Sequence, residues 1–118
     1  MSRVAHSSET SFATDLTATP IVVVDFWATW CGPCVAFAPV FEASAVTHPD
    51  INHYKVDIDE NPELAATFEI RSIPTTMFVR DGIVVSRIAG ALTPSRLEDL
   101  ITQTCNLDMD IVRKQTQR

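Results

Sequence analysis

The sequence predicts one α/β domain, a mixed central sheet with helices on both faces, and three observations predict it. "PIVVVDFWA" is a β-branched, almost continuously apolar run, the pattern of a strand covered on both sides. Past it the periodicity becomes helical, with Phe37, Val40, Phe41 and Ser44 recurring on one face. Further on, Asp81-Gly82 separates two short β-rich runs, a hairpin signal that puts an antiparallel pair at one end of the sheet. At 118 residues, with no internal repeat and no Pro/Gly/Ser linker, the chain fits one compact unit with a single core.

Taken in order, the first strand spans Arg3 to His6. "SSETSFATDL" reads as a helix, with Ser7 or Ser8 as N-cap and Phe12 and Leu16 on its inner face. The apolar strand follows, then a helix from Pro33 to about Thr47. Pro39 inside it removes a backbone hydrogen bond and predicts a kink. "INHYKVDID" alternates and gives a strand from Ile51 to Asp57. "NPELAATFEI" is a short helix with Asn61 as N-cap and Pro62 at its first position. The hairpin strands are Thr75 to Val79 and Ile83 to Ala89. Thr93 caps a last helix, Pro94 opens it, and Leu97, Leu100 and Ile101 face inward. The order β-α-β-α-β-α-β-β-α gives about five strands and about four helices.

Composition narrows the function. Hydrophobic residues are 46% and charged residues 20%, ordinary for a soluble globular protein. A net charge of −6 offers no electrostatic footprint for nucleic acid or an anionic membrane. The longest apolar stretch, Ile21 to Ala28, is interrupted by Asp25 and is too short to cross a bilayer. "MSRVAHSSETSF" has no apolar core of a secretory signal, so a cytoplasmic location is expected. The three cysteines are an odd set with only two close together, which does not suit a disulfide framework.

Those two lie in "WCGPC". As a metal clip the pair supplies only half of a structural zinc site, which usually has four ligands. Cys105, His6, His48 and His53 are not spaced as a second pair, so no metal is expected. As a redox pair the local geometry fits. Cys31 ends a strand-to-helix loop, near free backbone N–H groups and the positive end of the helix dipole, and both favour its thiolate. Cys34, one turn on, lies deeper and is placed to attack a mixed disulfide formed at Cys31. Gly32 allows a partner backbone to come close, and Pro33 stiffens the turn.

Asp25 is buried on any strand reading, and an unpaired buried charge is costly. Either its bonds are satisfied locally or it has a raised pKa and accepts the proton of Cys34. Lys55, in the neighbouring strand, is the candidate cation. Pro74, between Ile73 and Thr75, either starts a strand or follows a cis peptide bond.

"VVDFWATWCGPC", "KVDIDENPELAATFEIRSIPTTMFVRDG" and "AGAL", in this order and spacing, resemble the thioredoxin family over roughly residues 3 to 105. The resemblance implies a five-stranded sheet flanked by four helices and disulfide reductase activity. Cys31 would attack, Cys34 would resolve, and the redox-active Cys31–Cys34 disulfide would stand in place of any bound cofactor. It matches Asp25 to a buried acid, Lys55 to a buried lysine and Pro74 to a cis-proline facing the site. Trp30, Gly32, Ile73 and Gly90 match the apolar surface on which a partner chain lies, and Trp27 a tryptophan beneath the cysteines. Val35 departs from the family, where Lys or Arg is frequent, and makes the rim more apolar. The domain would span 1–105. Residues 106–118 form an extension read as a frayed terminal helix, a mobile tail or a docking segment. Asp108 and Asp110 ahead of Arg113, Lys114 and Arg118 suit a helix dipole. Cys105 reads as a packed or passively exposed thiol.

The expected function is therefore thiol–disulfide exchange with disulfide-containing client proteins. By the resemblance, electrons would come from an NADPH-dependent thioredoxin reductase; the chain has no Gly-rich dinucleotide fingerprint of its own and is expected to bind no nucleotide. A monomer is expected. The alternatives are a protein-binding module of the same fold, whose redox activity is secondary, and an oxidase or isomerase.

Overall fold

The computed structural model describes residues 3–116, so Arg118 lies outside the described residues. Five strands form one sheet: β1 (Val4–His6), β2 (Ile21–Trp27), β3 (Asn52–Asp57), β4 (Thr75–Arg80) and β5 (Ile83–Ala89), in the order β1-β3-β2-β4-β5. β2 runs parallel to β3 and antiparallel to β4, and β3 runs parallel to β1. Among the described residues there are five helices: α1 (Phe12–Asp15), α2 (Gly32–Thr47), α3 (Pro62–Thr67), α4 (Pro94–Cys105) and α5 (Met109–Thr116). Among the described residues no helix is long and apolar enough to cross a membrane.

The apolar run made β2 the central strand because successive side chains feed two different cores. Val23 packs with Phe37 and Phe41 of α2, with Leu97, Leu100 and Ile101 of α4, and with Phe78. Val22, Val24 and Phe26 pack on the other face with Phe12, Tyr54, Val56, Met77 and Val79. β4 alternates in the same way, with Phe78 in one cluster and its neighbours Met77 and Val79 in the other. Pro39 lies inside a helix that nonetheless runs from Gly32 to Thr47.

Side chains that bond locally move several boundaries. The carbonyl of Ser8 accepts the N–H groups of Ser11 and Phe12, so the chain turns before the helix begins. The Ser7 hydroxyl donates to Asp15 at 2.7 Å instead of capping. α1 is consequently only 4 residues long, with Ser11 at its N-cap, not Ser7 or Ser8. Asn61 does precede α3, but its side chain makes no cap bond. Its Oδ1 accepts the Glu9 N–H at 3.0 Å and its Nδ2 donates to the Asp57 carbonyl at 3.1 Å. α4 follows the sequence reading, with Thr93 accepting the Arg96 N–H at 3.2 Å.

The largest departure from four helices is α5. Asp108 Oδ1 accepts the N–H groups of Asp110 and Ile111 at 3.0 and 3.4 Å, satisfying donors of its first turn. Met109 is buried, and Arg113 donates to Asp81 at 2.9 Å. Asp81 and Gly82 have φ of 52° and 79°, the left-handed pair that turns β4 into β5. Arg80 beside them donates to the carbonyls of Thr104 and Cys105, both at 2.9 Å, which satisfies the open end of α4.

Candidate functional site

The chemistry gathers where β2 ends and α2 begins. Cys31 is the N-cap of α2, in an extended conformation, and its sulfur accepts the Cys34 N–H at 3.2 Å. Its carbonyl accepts the Val35 N–H at 3.1 Å. Cys31 and Cys34 are joined as a disulfide with Cα atoms 5.2 Å apart. Exposure is 5% for Cys31 and 2% for Cys34, so depth separates the two only slightly. What distinguishes them is position at the helix end.

A second loop closes over this pair. The Cys31 sulfur lies 3.6 Å from the Ile73 carbonyl oxygen, and the Ile73–Pro74 peptide bond is cis. The Gly90 N–H donates to the Pro74 carbonyl at 2.8 Å, which ties the start of β4 to the end of β5. Gly90 holds φ at 98°, a conformation that glycine adopts without strain. Trp30 is 67% exposed beside the pair, and its Nε1 donates to Asp59 at 2.8 Å. Val35 is exposed too, and a Cβ on Gly32 would meet nothing within 4 Å. With half-buried Ile73, these residues form an apolar rim around a closed disulfide.

Beneath it the polar groups are sealed in. Asp25 is 0% exposed, and neither carboxylate oxygen has a hydrogen-bond partner. Burial raises its pKa from the ordinary 3.8 to about 7, and the Lys55 charge opposes that rise. Lys55, the candidate cation, makes no ion pair with Asp25. The two residues are register partners across β2 and β3, but the Lys55 ammonium lies over the Trp27 ring, 4.3 Å from its centroid. A cation over an indole face keeps a favourable electrostatic contact while its tip reaches toward solvent. The His6 ring is 6.4 Å from that of Trp27, whose Nε1 has no partner.

Candidate metal ligands do not converge: among the described residues no group of three or more His, Cys, Asp or Glu side chains surrounds a common point. His48 meets Glu98 at 2.5 Å, His53 meets Ser44 at 2.9 Å, and Cys105 is an exposed free thiol at the end of α4.

Three features of this architecture escape the sequence reading. Asp59, which anchors Trp30, is one of several acidic residues in "DIDENPE" and carries no separate signal. The Ser44–His53 bond joins α2 to β3 and has no local pattern. Thr76 gives no signal of its own, because Thr75 beside it is equally polar and β4 is buried on both faces.

The family model for Thioredoxin matches residues 3–103. "Putative thioredoxin 2" of Streptomyces coelicolor is 45% identical over 114 residues, covering 97% of this chain and 85% of that one. Thioredoxin of Mycobacterium tuberculosis is 50% identical over 86 residues, covering 71% and 74%. Among solved structures, a point mutant of Halobacterium salinarum thioredoxin superposes with a TM-score of 0.80 at 33% identity, covering 88% and 91% of the two chains. Malassezia sympodialis thioredoxin superposes with a TM-score of 0.75 at 39% identity, covering 86% and 89%.

Proposed function

The chain belongs to the thioredoxin family, and from that premise we propose how its buried groups divide the work of reducing a protein disulfide. As a member it is a thiol–disulfide oxidoreductase, a protein-disulfide reductase whose redox pair is Cys31 and Cys34. Disulfide-bearing client proteins and a thioredoxin reductase are the partners the family implies in general.

In the proposed cycle the reduced protein starts as a dithiol. The Cys31 thiolate attacks one sulfur of the client disulfide, and the other client sulfur leaves as a thiolate. Cys34 then gives its proton to the Asp25 carboxylate and attacks Cys31. The Cys31–client bond breaks, the Cys31–Cys34 bond forms, and the client leaves fully reduced. The client gains two electrons and the pair loses two. The observation that carries the division is the helix cap: the Cys31 sulfur receives an N–H of the first turn of α2. Asp25 suits the second step because burial places its ionisation near neutral pH.

The client backbone would lie on the rim of Trp30, Gly32, Ile73, Pro74 and Gly90. Lys55 would tune Asp25 by its field. Electrons would return from an NADPH-dependent thioredoxin reductase, with the protein acting as a monomer in the reducing cytoplasm. Residues 1–105 would form the catalytic domain and 106–118 an added segment.

Limiting iodoacetamide near neutral pH tests the assignment of roles. Cys31 of the reduced protein should be alkylated first, and preferential labelling of Cys34 or Cys105 would reverse it.

A further inference from the structure

Two adjacent threonines in β4 are treated differently. The Thr75 hydroxyl donates to the Ser72 carbonyl at 2.6 Å. Thr76 is 0% exposed and its hydroxyl has no partner. Valine would fill the same volume without burying an unpaired hydroxyl, so the hydroxyl calls for a reason. The register of the sheet supplies one. Thr76 stands directly opposite Asp25 across the antiparallel β2–β4 pair. Directly opposed residues share a face, with Cβ atoms about 4.5–5.5 Å apart. Rotation about χ1, or one bridging water, brings the hydroxyl to the carboxyl group.

Both Asp25 oxygens are equally without partners, and the other groups facing Asp25 do not supply one. Lys55 of β3 is turned onto Trp27, with His6 of β1 beyond it in the same cross-strand row. Trp27 of β2 is two residues along the same face. α2 contributes Cys34, the thiol whose proton Asp25 takes in the proposed cycle.

We propose that the Thr76 hydroxyl is the hydrogen-bond partner of the Asp25 side chain and a positioning residue for the proton that Asp25 exchanges with Cys34. This rests on the reading of Asp25 as the acceptor of that proton. A hydroxyl both donates and accepts, so it serves both states. It accepts from the protonated acid, and after ionisation it rotates and donates to the carboxylate. The bond to the charged form is the stronger, so Thr76 favours ionisation.

The test is the titration of the Asp25 carboxyl in the reduced full-length protein, followed by carbon NMR and assigned with Asp25→Asn. Thr76→Val should raise the midpoint by roughly half to one pH unit. Thr76→Ser, which keeps the hydroxyl, should restore it, and the pH midpoint of the resolution step should move in parallel. Thr76→Ala gives the same reading if valine disturbs the packing. Identical titration in the wild-type and Val proteins, or no restoration by Ser, overturns the proposal. The two readings fail separately. If Asp25→Asn leaves resolution unchanged while Thr76→Val still shifts the carboxyl, the contact stands and the proton-acceptor role falls. If Asp25→Asn slows resolution and Thr76→Val shifts nothing, the contact falls alone.

Discussion

Polar groups are buried beneath both ends of α2, and the two ends treat them in opposite ways. Toward its C-terminus His53 is 1% exposed with both ring nitrogens engaged. Nδ1 donates to the Ile51 carbonyl at 2.8 Å, so Nε2 is the acceptor of the Ser44 hydroxyl at 2.9 Å, and the ring packs edge-on against Phe41. Toward the N-terminus, on the same face of the sheet, Asp25, Thr76 and the Trp27 indole hold polar atoms with no partner at all. Ser44 is ten residues beyond Cys34, about 15 Å along the helix, so one element spans both environments. A completed network fixes one protonation state and fastens α2 to β3. An incomplete one, served at most by the single rotatable hydroxyl of Thr76, leaves an acid whose two states are nearly balanced at neutral pH, as a proton relay requires. The family's chemistry sits at the incomplete end.

The largest expected effect comes from cutting the redox pair. Cys34→Ser should lower turnover with a protein disulfide by at least about a thousandfold and accumulate the Cys31 mixed disulfide. Nonreducing electrophoresis with a client protein reads this directly. Steady turnover by the Ser variant would place the chemistry elsewhere.

Next is Asp25→Asn. Resolution should slow roughly a hundredfold, the lower end of what a positioned base supplies, while the attack by Cys31 changes less. Stopped-flow reduction of a model disulfide protein separates the steps, and unchanged resolution between pH 6 and 9 would remove Asp25 from the mechanism. Stability should respond as well. The folded-state value of about 7 lies above 3.8, so between them the native protein holds a proton that the unfolded chain has released. Stability therefore falls as pH rises through that window, by up to about 4 kcal/mol, and is flat above it. The Asn variant should lack this slope and be about 2–4 kcal/mol more stable than wild type at pH 8.

At the other end the effect should be smaller and purely structural. Ser44→Ala leaves His53 Nε2 buried without a partner, which should cost about 1–3 kcal/mol in denaturant unfolding. Both steps of the redox cycle should keep their rates. His53 also gives the opposite pH signature. Burial holds its pKa below 6.5, so its contribution is complete above that value and is lost as pH falls, when the unfolded chain binds the proton first. A redox defect in Ser44→Ala would erase the distinction between the two ends.

That distinction was only half legible in the sequence. Local chemistry announced itself: the apolar run of β2, the Asp81-Gly82 turn, the Thr93 cap and the two cysteines at a helix entrance are all short-range patterns. Asp25 stood out because a charge inside "IVVVDFW" has few explanations. Partnerships across strands did not. That Lys55 turns to Trp27 and that Thr76 faces Asp25 depend on strand register, and that His53 bonds to Ser44 depends on how α2 docks on β3; only the folded sheet sets either. α1 was read too long because Ser7 and Ser8 belong to a turn whose bonds compete with the helix. α5 lies outside the family's span, so resemblance offered no guide to it.

Lys55 tests the comparison most finely, because His53 and Lys55 lie two apart on β3 and point to the same face. His53 is held by bonds, whereas Asp25 feels Lys55 only through its field, with the ammonium seated over Trp27. Lys55→Met keeps the apolar stem over the indole and removes the charge. Lost attraction should raise the Asp25 midpoint above 7 by a few tenths of a pH unit, a small shift because the ammonium makes no ion pair and is partly screened by solvent. Resolution at pH 7 should slow by about twofold and recover at higher pH, as expected when the fraction of ionised acceptor changes and its reactivity does not. The imidazole resonances of His53 should stay in place, since both of its bonds survive. The reading sinks if the midpoint falls, or if the loss at pH 7 persists at pH 9; Lys55 would then be supporting Trp27 and the cysteines above it mechanically.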